Sequence, residues 1–131
     1  MTDPAPGARI AFRKTLTVAE QAMFTGISGN LGPLYVDANR ARAEGASGMV
    51  AFELVIAALA STCLARLGGP GRRIGALELR FLAPVAVGGT VEASAEVTGI
   101  EDETLHIALA ATLDGAGLVM EGRATMPLLL R

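Results

Sequence analysis

Aromatic residues make up only 4% of this 131-residue chain, so its core cannot be built on rings. Hydrophobic residues reach 51%, and the core must therefore come from Ala, Val, Leu and Ile. Cysteine is nearly missing. Cys63 stands alone, which excludes an intrachain disulfide and fits a reducing compartment. Charge is scarce too: 18% of residues are charged and the formal net charge is -2. With no basic run and no Lys/Arg-rich amphipathic segment, neither nucleic acid nor a membrane surface is expected as a partner. A lone His106 and a lone Cys63 make no metal-ligating constellation, and no Gly-rich loop with a Lys offers a phosphate cradle. The opening Met-Thr-Asp-Pro-Ala-Pro-Gly lacks the basic and apolar regions of a secretory leader. The apolar stretch from Met49 to Leu67 carries Glu53, Ser61, Thr62 and Arg66, too polar for a span of about 20 apolar residues. The expectation is a cytoplasmic protein of one domain, long enough to bury a real core.

What is present is strongly patterned. Residues 1–8 are rich in Pro, Gly and Ala and read as a disordered lead-in, with a single domain over 9–131. Arg9 to Leu16 reads as a first strand. Thr17-Val-Ala-Glu20 is a capping box, so a short helix should run to about Gly26. Gly29-Asn-Leu-Gly-Pro33 breaks it into a loop, and Asp37 is placed to cap a helical turn through Ala43. The longest element is a helix from about Met49 to Leu67, stopped by Gly68-Gly69-Pro70-Gly71. At 100° per residue, Ser61 lies about 80° and Arg66 about 220° around from Glu53, so the polar groups form no stripe. A helix apolar on nearly all sides should be enclosed.

After that helix, period-two alternation takes over: Leu77/Leu79/Phe81, then Val91/Ala93/Ala95/Val97, then Leu105/Ile107/Leu109/Ala111/Leu113, each interleaved with polar positions. A last strand covers about Leu118 to Met126. Glu101-Asp102-Glu103 and Gly115-Ala116-Gly117 read as hairpin turns, so the sheet is antiparallel. Five antiparallel strands curled round one long helix make an α+β arrangement, the hot-dog fold.

Three segments add a family resemblance. Ser28-Gly-Asn30-Leu-Gly32-Pro33-Leu-Tyr35-Val-Asp37 resembles the active-site loop of the MaoC-like, (R)-specific enoyl-CoA hydratases, Ser-Gly-Asp-x-Asn-Pro-x-His-x-Asp. Asn30 stands at the catalytic Asp, Gly32 at the Asn and Tyr35 at the catalytic His. Ala46-Ser47-Gly48-Met49 resembles the family's Ala-His-Gly-Met, with Ser47 for His. Arg80-Phe81-Leu82-Ala83-Pro84-Val85 followed by Gly88-Gly89-Thr90 resembles Arg-Phe-x-x-Pro-Val-x-x-Gly-Asp-Thr, with Gly89 for Asp.

The resemblance implies a site that adds water to, or removes it from, an acyl thioester of coenzyme A or an acyl-carrier protein, with no further cofactor. That reaction needs a base for water, an acid for the α-carbon and donors for the thioester oxygen. Backbone amides at the front of the long helix serve as those donors in the family. Here Gly48 and Met49 are the candidates, with Ser47, Ser28 and Pro33 completing the substrate-binding set. The alternative for Gly48 is a residue that eases the turn into a helix.

The proton-transfer pair is altered. Asn30 can orient water but has no titratable group, and its alternative is a turn residue. Tyr35, with an ordinary pKa of about 10, can donate a proton but is a poor base. Its alternative is a plug at the pocket mouth. Loss of general acid–base help costs on the order of 10²–10⁴-fold.

Glu53, about one turn into the expected helix, is either a hydrogen-bonded structural acid or a functional one, as in hot-dog thioesterases. Arg72 and Arg73 meet coenzyme A phosphates on one reading and form a solvated loop on the other. His106 reads as solvated and Cys63 as core. The serines lack a His–Asp pair to activate them. The resemblance also implies a homodimer, or a heterodimer with a related hot-dog chain. Three functions stay open: a hydratase or dehydratase with an unusual pair, a non-catalytic partner of such an enzyme, and a thioesterase using Glu53.

Overall fold

A computed structural model describes residues 3–130. Strand β1 (Arg9–Thr15) leads into helix α1 (Val18–Ser28), the one-turn helix α2 (Pro33–Val36), the short α3 (Ala38–Ala43) and the long α4 (Glu53–Gly68). Strands β2 (Ala76–Phe81), β3 (Thr90–Glu101), β4 (Thr104–Leu113) and β5 (Gly117–Met126) follow. Every strand pairing is antiparallel. The sheet order is β1-β3-β4-β5-β2, so the first strand and the strand after α4 form its two edges.

Local chemistry explains most boundaries. The capping box forms as the sequence implies: the Thr17 hydroxyl accepts from the Ala19 amide, and the Glu20 carboxylate accepts from the Thr17 amide at 2.8 Å. Helix α1 runs past Gly26 to Ser28, because the stop is Gly29, left-handed at φ 72°, whose amide closes on the Thr25 carbonyl. Asp37 caps α3 through the Asn39 and Arg40 amides. Pro33 does more than break a helix. It opens α2 from the first helical turn, where a missing N–H costs nothing. Asp102 and Glu103 both take positive φ, the geometry of a tight two-residue hairpin.

The core is the face of α4 against the sheet. Ile56, Leu59, Ala60, Cys63 and Leu64 pack on the inward rows of β3, β4 and β5, including Val91, Ala93, Val97, Leu105, Ile107, Met120 and Met126. Cys63 sits in this core with its thiol pushed up by burial. Alanines on both sides let the helix lie close.

The expected full enclosure of α4 is met on one side only. Leu54 is 60% exposed, and Ala58, Ala65 and Arg66 also face outward. A single five-stranded sheet curves over one flank of a helix and leaves the other to whatever lies beside it. The Arg66 guanidinium covers the Phe12 ring at 5.1 Å.

The lead-in expected to be disordered is tied down from Asp3 onward. The Gly7 amide donates to the Val97 carbonyl, the Val97 amide to the Ala8 carbonyl, and Asp3 pairs with Arg72 at 3.0 Å. Met1 and Thr2 lie outside the described residues. Among those residues no helix is long and apolar enough to cross a membrane.

Candidate active site

The longest helix starts later than its apolar run suggests. Phe52 is extended (φ -56°, ψ 127°) and caps α4, so Gly48 and Met49 precede the first helical turn rather than forming it. The reason is tertiary. The Val50 amide donates to the Leu34 carbonyl, the Ala51 amide to Val85, and the Val87 amide to Met49, which makes 49–51 a short extended strip bridging Val50 to Ala86. An apolar run has the same composition whether it coils or extends.

This strip brings the distant loop to the front of α4. The Tyr35 ring stacks on Phe52 with centroids 4.4 Å apart and planes inclined by 16°. Phe24 packs on the same ring at 4.9 Å. From that stack the Tyr35 hydroxyl donates to Glu53 Oε1 at 2.7 Å. The phenol is pushed up to about 12, first by that hydrogen bond, then by burial, then by the carboxylate's charge. Tyr35 therefore keeps its proton at neutral pH and holds it against Glu53. Two residues read separately in the sequence form one dyad.

Next to the dyad lies Gln21, a polar residue only 5% exposed. Its Nε2 donates to the Tyr35 carbonyl at 2.9 Å and the Val50 carbonyl at 2.7 Å, and its Oε1 accepts from the Phe52 amide at 3.3 Å. Sequence reading missed Gln21. No local signal marks it: its half-buried neighbours on α1 are Glu20, Phe24 and Thr25, while Val18, Met23 and Ile27 are exposed.

The remaining loop residues have local tasks. Asn30 Oδ1 accepts from the Gly32 amide at 2.8 Å, and Ser28 Oγ donates to Phe24 O while accepting from the Asn30 amide. A side chain at Gly32 would crowd this turn, since a Cβ there would lie 3.0 Å from Asn30 Oδ1 and 3.1 Å from the Tyr35 ring. Pro33 starts the turn that carries Tyr35. Ser47 is exposed, whereas Gly48 and Met49 are half-buried. The Gly48 and Met49 amides have no hydrogen-bond partner among the described residues. A Cβ at Gly48 would meet nothing within 4 Å. Tyr35 and Met49 share the wall of a cavity of about 270 Å³ with Val18, Gln21, Ala22, Thr25 and Val36.

Arg72 does not reach this site. It follows the far end of the 16-residue α4, roughly 24 Å from Glu53 along the helix. Its side chain is 3% exposed, and Nη1 donates to the Glu103 and Met126 carbonyls at 2.6 and 2.7 Å. That corrects the reading of Arg72 as a phosphate contact: a guanidinium enclosed by two carbonyls and Asp3 holds the lead-in to the sheet. Arg73 Nε donates to the Leu129 carbonyl at 3.3 Å. Arg72→Met should destabilise the fold by about 2–3 kcal/mol, since it strands the Met126 carbonyl. Thermal unfolding checks this, and an unchanged midpoint would refute the buried staple.

A larger cleft, about 530 Å³, runs along β2, β4 and β5 past Thr98, His106 and Arg123. Its charges neutralise each other at the surface, with Arg123 on Glu78 at 2.7 Å. His106 faces Glu101 at 3.7 Å. Among the described residues no cluster could hold a metal ion.

Residues 2–115 match the family model described as a MaoC like domain. The chain is 32% identical over 126 residues to an (R)-specific enoyl-CoA hydratase of Rhodospirillum rubrum, covering 95% of this chain and 88% of that protein. The solved (R)-hydratase of A. caviae involved in PHA biosynthesis superposes with a TM-score of 0.91 at 26% identity, over 98% of this chain and 99% of that one. A chain of the ChsH1-ChsH2 complex from Mycobacterium tuberculosis shares the fold, with a TM-score of 0.86 at 18% identity over 95% and 98% of the two chains. An antiparallel five-stranded sheet over one long helix, three ordered motifs and these likenesses place the chain in the MaoC-like hydratase/dehydratase family of hot-dog proteins.

Proposed function

We propose that the chain binds an acyl thioester of coenzyme A or an acyl-carrier protein at the front of α4. There it catalyses reversible hydration of the α,β-double bond. The observation that carries this reading is the 2.7 Å bond between Tyr35 and Glu53 beside the Met49 strip. The thioester oxygen lies on the unpartnered Gly48 and Met49 amides, in the open space above Gly48. Backbone donors preset for developing negative charge lower the barrier without reorganising.

Glu53 is the proton acceptor. Its Oε1 is occupied by Tyr35, and Oε2 faces no hydrogen-bond partner among the described residues. In the hydration direction, water loses a proton to Glu53 as its oxygen bonds the β-carbon. The α-carbon takes a proton from the Tyr35 hydroxyl, and Glu53 returns one to the phenolate. The sum is water added and both side chains restored. Asn30 and Ser28 shape the loop, Pro33 opens the turn that carries Tyr35, and Ser47 stands exposed just before the Gly48 and Met49 amides.

A specific observation favours a second reading, the non-catalytic partner of a hydratase. Asn30, at the position of the family's catalytic Asp, spends its side-chain oxygen on the Gly32 amide. Strand β2 leaves one edge unpaired, with Leu77 and Phe81 45% and 38% exposed. Such an edge joins a second chain, either another copy or a related hot-dog subunit.

Crotonyl-CoA decides between the readings. Loss of its enoyl absorbance with the purified protein supports the enzyme. A melting-temperature shift without turnover supports the partner, with activity returning on addition of a catalytic chain. Release of free thiol from a saturated acyl-CoA, abolished by Glu53→Ala, would instead make Glu53 the acid of a thioesterase. No shift and no turnover refutes thioester binding.

A further inference from the structure

Gln21 is the least expected group near the site. An amide buried to this depth needs partners for its donors and its acceptor, and each one left unmade costs about 1–3 kcal/mol. All its bonds go to segments that build the site. Both Nε2 bonds end on carbonyls of the two strips that meet there, at Tyr35 and at Val50. Oε1 takes the amide of Phe52, the residue on which the Tyr35 ring stacks and the cap from which Glu53 follows.

One side chain thus ties α1 to both halves of the dyad. Apart from it, the Tyr35 loop meets the approach to α4 through the Val50 amide on Leu34 O, the ring stack and the hydroxyl bond itself. Helix α2, which carries Tyr35, is only four residues long and has no buried residue. Its position is fixed from outside. Gln21 also lines the cavity that Tyr35 and Met49 share.

We propose that Gln21 is the positioning residue of this site, holding the Tyr35 turn to the Val50–Phe52 strip so that the phenol reaches Glu53 and the Met49 amide faces the thioester. This rests on the function proposed above. A one-ångström displacement of a catalytic group can cost about 10²-fold in rate, so a clamp one bond behind the dyad sets turnover without touching substrate.

Two substitutions test it. Gln21→Met keeps the length and removes every hydrogen bond. Gln21→Glu keeps the size and the acceptor for Phe52 but loses both donors. Tyr35 is the one tyrosine of the chain and there is no tryptophan, so ultraviolet absorbance during alkaline titration reads Tyr35 alone. In wild type the phenol should ionise near 12. In folded Gln21→Met it should move toward the ordinary 10.0, as the loop lets the hydroxyl leave the carboxylate, while Gln21→Glu is read by kcat alone because its own charge acts on the phenol. With crotonyl-CoA, kcat should fall by about 10²-fold while KM changes far less.

A folded Gln21→Met protein whose phenol still ionises near 12 overturns the proposal, even if its stability is lower. If neither variant folds, hydrogen exchange of the Gln21 side-chain amide in wild type gives the answer. Slow exchange supports the clamp and free exchange overturns it. The titration needs no turnover, so an inactive wild type would sink the hydratase reading while leaving Gln21 still to be judged by its tyrosine.

Discussion

Replacing Glu53 with Gln is expected to bring the Tyr35 phenol down from about 12 toward 10.0 and to lower hydration of crotonyl-CoA by about 10²-fold or more. The substitution keeps the side chain's length and one oxygen able to accept from the phenol, so the stack on Phe52 persists. What vanishes is the negative charge and the proton acceptor. Two of the three causes that raise the phenol come from Glu53, and burial remains as the third.

The same shift carries a pH dependence of stability. The phenol ionises later in the folded chain than in the unfolded one, so its contribution is fully present below about pH 10 and fades as pH rises toward 12. Wild type should therefore lose stability through that window, and Glu53→Gln should lose less. Tyr35 is partly exposed, and solvent screening keeps the effect modest. Alkaline absorbance titration of both proteins, with kcat measured alongside, checks each part. A variant that titrates near 12 would show that the carboxylate is not what holds the proton. A variant with wild-type kcat would remove Glu53 from the chemistry.

Where the sequence was legible, the determining contacts were local. Thr17 and Glu20 lie within one turn and announce the start of α1, and Asp37 announces α3 the same way. Strands β3 and β4 follow from alternation, because one face of each meets α4 and the other meets solvent, whereas β2 alternates in sequence yet leaves Leu77 and Phe81 exposed at the sheet edge. The start of α4 was misplaced by four residues because Met49, Val50 and Ala51 suit a buried helix and a buried extended strip equally well. The contacts that settled it come from Leu34 and Val85, 16 and 34 positions away from their partners.

The candidate site was legible as a set of names and not as a set of contacts. Tyr35 and Glu53 are separated by 18 positions, and nothing local pairs them. Gln21 reaches Val50 and Phe52 across 29 and 31 positions. Arg72 and Arg73 are neighbours in a Gly/Pro loop with no periodicity, and only the fold assigns one of them to the interior. A family resemblance draws attention to the loop over 28–37. It does not say which side chains elsewhere in the chain that loop meets.

The largest effect on stability is expected in the sheet, at Gly122→Ala. Gly122 faces Leu79 where β5 pairs with the edge strand β2. A Cβ at this position would lie 2.0 Å from the Glu78 carbonyl oxygen and 2.9 Å from Leu79 Cα. Both are backbone atoms, so no side-chain rotation relieves the clash, and β2 must move away from β5. That strand is held by a ladder of six residue pairs on one side only. The cost should be about 3 kcal/mol or more, lowering the melting temperature by roughly 10 °C for a domain of this size. Gly26→Ala is the matched control. Gly26 lies inside α1 with nothing within 4 Å of an added Cβ, so the substitution should stabilise by about 0.5–1 kcal/mol through helix propensity. Calorimetry on the two variants should give shifts of opposite sign. Equal shifts, or a Gly122→Ala protein that melts with wild type, would mean that β2 is not packed against β5 in the register described.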